Sequence, residues 1–84
     1  MTSEELRTAI VHLFGAHGGQ RKLANMIGAN DSSIRRYLMG TRRVPSWLVC
    51  IIAHLYERKV SGLPIDIPVD TIIRELLSEA EADH

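Results

Sequence analysis

The sequence predicts an all-α fold, a compact bundle of about five helices, and three observations predict it. Apolar residues recur at spacings of three and four in successive stretches. Glycines or prolines punctuate those stretches. Strict alternation appears only in "LPIDIP", where Pro64 and Pro68 limit the segment to an extended arm or an edge strand.

Leu6, Ala9, Ile10, Leu13 and Phe14 mark the first helix, and Thr2 followed by Glu5 has the spacing of a capping box. "GAHGG" ends it. A short second helix spans Gln20 to Ile27, with Leu23, Ala24 and Ile27 inward and Gly28 as its stop. Asn30 suits the N-cap of a third helix that runs to about Met39, with Ile34, Tyr37 and Leu38 inward and Gly40 closing it. After the loop "TRRV", Pro45 suits the first turn of a fourth helix. Trp47, Leu48, Ile51, Ile52 and Leu55 form its stripe, and as the most apolar helix it is expected at the centre. A last helix starts near Val69 with the stripe Val69, Ile72, Ile73, Leu76, Leu77 and Ala80, and the "EADH" tail is expected to fray.

A chain of 84 residues is sized for one domain. Residues 1–60 read as the helix-turn-helix unit, and residues 61–84 as an arm and last helix of the same domain. No apolar run approaches the ~20 residues that span a bilayer. The N-terminus carries acids where a secretion signal carries bases, and the single cysteine, Cys50, excludes an internal disulfide. Both fit a bacterial cytoplasm or nucleoid. The net charge of zero hides a dipole: residues 20–43 hold six bases and one acid, whereas residues 63–84 hold six acids and one base. A polyanion partner suits the first segment; two solvated surfaces with no partner would give the same charges.

The second and third helices are separated by a link so short that they must cross steeply, as in a helix-turn-helix. Ala24 is small enough to let the third helix approach. At about 100° per residue, Ile34, Tyr37 and Leu38 fall on one side of the third helix, and Ser32, Arg35, Arg36 and Met39 on the other. An α-helix fits the DNA major groove, where arginine bonds guanine O6 and N7 through two parallel bonds. Ser32, Arg35 and Arg36 are therefore the candidate base readers. Arg21, Lys22, Arg42 and Arg43 lie on the flanks, placed to meet phosphates, and Ser33 is within reach of one.

At Gln20, Leu23-Ala24, Ile27-Gly28, Asn30, Ser32-Ser33-Ile34, Tyr37, Gly40 and Pro45-Ser46 the sequence resembles the helix-turn-helix regulators of the lambda-repressor and Cro family, over about residues 6–58. The resemblance implies a bundle of four or five helices whose 30–39 helix reads the major groove. It also implies that Gln20 touches a phosphate and braces Asp31. Asp31 departs from the neutral polar residue usual at that place. It is suited either to accept from a cytosine N4 or to favour the helix N-terminus, with the second preferred. The segment 60–84 lies outside the shared pattern.

Other residues invite blander roles. Trp47 and Tyr37 are expected in the core, and Cys50 as a small buried side chain. His12 and His54 read as helix-surface residues. None of the four histidines has metal-ligand spacing along the chain, and no metal, cofactor or small-molecule ligand is expected. No nucleophile–base–acid set or carboxylate pair suggests an enzyme. The last helix must bury its stripe, either on the first helix or against a second copy of the chain. The second is preferred, with Leu63, Ile65, Ile67, Ile72, Ile73, Leu76 and Leu77 as the dimerisation residues. The expectation is a homodimeric, sequence-specific DNA-binding regulator of phage or bacterial type, a repressor on an inverted-repeat operator of double-stranded DNA. The competing expectation is a protein-interaction module of helix-turn-helix shape, such as an antitoxin or a transcription adaptor.

Overall fold

The computed structural model describes the backbone of residues 1–82 and the side chains of residues 1–79. The order is α1 (Ser3–Phe14), α2 (Gly19–Ile27), α3 (Asp31–Met39), α4 (Ser46–Val60) and α5 (Val69–Ala82), with no strand among the described residues. The all-α class, the number of helices and the start of α5 agree with the sequence pattern. The 63–68 segment is an irregular arm rather than an edge strand. Asp83, His84 and the Ala80 side chain, on which the tail and stripe expectations rested, lie outside the described residues.

Each boundary has a local cause. The Thr2 hydroxyl accepts from the Glu5 N–H at 3.1 Å, and the Glu5 carboxylate accepts from the Thr2 N–H at 3.0 Å, so the capping box is complete. These bonds hold the Glu5 carboxyl below its ordinary value, the Thr2 backbone bond contributing most. Helix α2 begins one residue early because Gly19 is itself helical and buried. A Cβ there would lie 2.6 Å from Ile10 Cγ2, so this glycine sets the closeness of α1 and α2. Gly28, at φ +70°, turns the chain between α2 and α3. Asn30 occupies the cap position of α3 through its backbone only: its carbonyl accepts from the Ser33 N–H at 3.0 Å, and its side chain makes no cap bond. Pro45 stands at the cap position of α4 rather than inside its first turn.

One core runs through the chain. Leu6, Leu23, Ile34, Leu48, Ile52, Leu55 and Ile72 are fully buried, so α5 is joined to the same interior as the other helices. It is α1, not the more apolar α4, that packs against three neighbours, α2, α3 and α4. Helix α5 packs on α4 rather than on α1.

Two residues a heptad apart on α4 reverse their expected places. Trp47 is 50% exposed, whereas His54 is 5% exposed. They share one flank of the helix, about 90–110° from the centre of the Leu48–Leu55 stripe. Helix α5 covers that flank at His54 and Arg58, whose side chains meet Glu75, and it leaves the first turn of α4 bare. Cys50 is also exposed, because it lies nearly opposite the stripe. His12 is a surface residue as expected, its ring stacked on Tyr56 at 4.8 Å.

Candidate nucleic-acid interface

The third helix is fastened at both ends. At its start, Gln20 Nε2 donates to Asp31 Oδ1 at 3.1 Å and to the Asp31 carbonyl at 3.3 Å, tying α2 to α3. The carboxylate of Asp31 is thereby engaged within the protein, on the first turn where a negative charge favours the helix dipole. Ile34, fully buried, pins the middle, and Tyr37 and Leu38 are partly buried against the core.

The last turn of a helix leaves carbonyls without intrahelical donors. Here the Arg36 carbonyl accepts from the Thr41 N–H at 3.1 Å and the Thr41 hydroxyl at 3.2 Å. The Ser3 hydroxyl donates to the Tyr37 carbonyl at 2.8 Å, and Arg7 Nη2 donates to the Leu38 carbonyl at 3.1 Å. Ser3 and Arg7 thus hold the end of α3 from α1. Sequence reasoning missed both, because the pairs are 34 and 31 residues apart and no local spacing marks them.

What remains free is the outer face. Ser32, Arg35, Arg36 and Met39 are exposed together on α3, as the helical angle requires. Arg21 and Lys22 on α2 and Arg42 and Arg43 in the loop after α3 are exposed as well; Gln20 and Ser33 are half-buried. Among the described residues, none of the six basic side chains from Arg21 to Arg43 makes a hydrogen bond or an ion pair. The basic side chains engaged within the protein are others: Arg7, Arg58 and Lys59, the last donating to the His12 carbonyl.

The expected dimerisation residues divide. Ile72 is fully buried within the chain and cannot meet a second copy. Ile65, Ile67 and Leu76 are partly buried against the chain's own core: the arm runs beside α2, with Asp66 lining one hollow with Lys22 and Met26, and Leu76 belongs to α5, which packs on α4. Leu63, Ile73 and Leu77 remain 50%, 46% and 60% exposed. No described helix is long and apolar enough to cross a membrane.

Comparison of the chain with models of known families, with curated proteins and with solved structures finds no match.

Proposed function

We propose that this protein binds double-stranded DNA in a sequence-specific way, as a homodimeric transcriptional regulator that works as a repressor. One observation carries the proposal: Ser32, Arg35 and Arg36 project from a helix fixed at its start, middle and end, while among the described residues none of their side chains is engaged. A base-reading helix needs that combination, since a preorganised rod loses little entropy on docking and a free guanidinium keeps its bidentate capacity.

Ser32, Arg35 and Arg36 read base edges. Arg21, Arg42 and Arg43 meet phosphates on either side, with Gln20 and Ser33 at the helix starts. Asp31 serves chiefly to hold Gln20. Leu63, Ile73 and Leu77 supply the apolar contact between copies, so that two recognition helices lie ~34 Å apart in successive major grooves and the operator is an inverted repeat.

The test is selection from a random duplex library by the purified protein. Enrichment of one inverted repeat supports the proposal. Recovery of random sequence only, with no salt-dependent binding, overturns it. A protein-interaction module is the second reading. It is favoured by the same exposed Ile73 and Leu77, which would then cover a different chain; an Ile73→Asp/Leu77→Asp variant that stays folded and keeps the wild-type mass in sedimentation would reject their role in self-association.

A further inference from the structure

We propose that the seam between α4 and α5 is a binding site for one divalent transition-metal ion, zinc by preference, held by His54 Nδ1 and the carboxylates of Glu57 and Glu79.

The starting point is a mismatch in a buried side chain. His54 Nε2 lies 2.5 Å from Glu75 Oε2. Glu75 also takes both oxygens to Arg58 Nη1, at 2.7 and 3.0 Å, and Arg58 Nε is spent on the Pro64 carbonyl at 2.8 Å. A carboxylate so placed is ionised and can only accept, so Nε2 carries the proton and donates it. When the ring is neutral, Nδ1 is then a bare lone pair. It is buried, it has no hydrogen-bond partner among the described residues, and the polar atom facing it is Glu79 Oε1 at 3.6 Å. An acceptor aimed at an acceptor inside a protein is unfavourable unless something positive joins them.

The surroundings suit a metal ion. The ligand atoms of His54, Glu57 and Glu79 all lie within 4.8 Å of one another. Zinc binds histidine nitrogen and carboxylate oxygen at about 2.0–2.2 Å in tetrahedral geometry, which puts neighbouring donors about 3.4 Å apart; the Nδ1–Oε1 separation is already 3.6 Å. Glu57 and Glu79 are exposed and free to close the remaining distance. Three protein donors leave the fourth position for water. Histidine ligands to metals usually give their other N–H to a carboxylate, which fixes the tautomer and raises ligand basicity, and His54–Glu75 has that form. Charge balances too: Arg58 offsets Glu75, leaving two carboxylates for a doubly charged ion. An imidazole donor argues against magnesium and calcium, which take oxygen ligands. His54 and Glu57 come from α4 and Glu79 from α5, so the ion would staple the last helix to the body. The split across two helices is also why spacing along the chain does not show the site. The site does not depend on DNA binding.

The experiment is calorimetric titration of the full-length, EDTA-dialysed protein with zinc chloride, paired with long-range proton–nitrogen NMR of the histidine rings. One zinc per chain is expected, with the His54 Nδ1 resonance shifted and the Nε2 proton retained. A Glu57→Gln/Glu79→Gln variant leaves the buried residues in place and is expected to weaken binding by more than about tenfold, the scale set by losing even an outer-shell partner; Glu4→Gln serves as a control that changes nothing. His54→Gln is expected to abolish binding, but a folding defect there would be no test, so the surface variants decide. Absence of stoichiometric binding overturns the proposal. So does binding undiminished in the double variant, which would place zinc on another histidine. A His54 ring still protonated on both nitrogens at saturating zinc overturns it as well, by making an imidazolium the bridge between Glu75 and Glu79.

Discussion

Two polar regions of this small molecule are built on opposite plans. Between α4 and α5, polar groups face one another: Arg58 and His54 converge on Glu75, and the partners are at most half exposed. On α3 and its flanks, six basic side chains stand in solvent with no partner among the described residues. The first arrangement satisfies Arg58 and Glu75 and so contributes to the fold, with His54 Nδ1 left unpartnered among the described residues. The second adds repulsion without internal return, and folding alone gives no account of it. A chain with equal numbers of acids and bases has partners enough to neutralise those six. That the acids are gathered elsewhere is what supports the polyanion partner proposed for the basic face.

The contrast breaks first at the residue that supports the basic face from beneath. Ile34→Ala removes the fully buried anchor of α3 and is expected to cost about 2–5 kcal/mol of stability in urea unfolding. For a domain this size, that loss also loosens α3. A cost below about 1 kcal/mol, against the range for buried Ile→Ala, would mean that α3 is held by its end bonds alone.

A smaller change tests the face itself. Arg36→Ala should weaken binding to the selected operator by ~1–3 kcal/mol and relax one base preference, while Arg43→Ala should weaken all sequences alike and reduce the salt slope by about one. Equal losses for both variants on operator and random duplex would remove the distinction between base and phosphate contacts.

The two regions can also be compared without DNA. Arg35→Met replaces an exposed, unengaged guanidinium and should move unfolding stability by less than about 0.5 kcal/mol. Arg58→Met takes away the clamp on Glu75 and the bond to the Pro64 carbonyl, and should lower the thermal midpoint by clearly more. Equal shifts would show that the seam contributes no more than an exposed surface.

Legibility in the sequence follows the same division. Helix positions, the capping box, the turn at Gly28 and the outward set on α3 depend on residues within a few positions of one another, so periodicity and turn chemistry reveal them. Trp47 and His54 show where that stops. Residue type suggests an interior tryptophan and a surface histidine, but both lie on one flank of α4, and the docking position of α5 decides which is covered. The arm and last helix were harder for a related reason. Ile72, Ile73 and Leu77 form one stripe in the sequence, yet one side of the stripe meets α4 and the other meets solvent. Ser3 and Arg7, which close the end of α3, depend on how α1 crosses it, and local spacing carries no such information.

The smallest expected effect concerns the start of α1, where a carboxylate is engaged as fully as in the seam but on the surface. The Thr2 bonds depress the folded-state pKa of Glu5 below its ordinary value. A depressed carboxyl pKa means the unfolded chain takes up the proton first as pH falls. The stabilisation is therefore complete above the unfolded value of about 4.3 and is lost as pH drops through the lower folded value. Glu5→Gln keeps the reach of a capping-box side chain but cannot titrate. Thermal midpoints of the two proteins should differ most near neutral pH and converge below the folded value, with wild type the more stable at the upper end. Parallel profiles over that window would mean that the helix start is held by Thr2 alone. In that case the engaged surface carboxylate would count with the idle charges of α3 rather than with the satisfied ones of the seam.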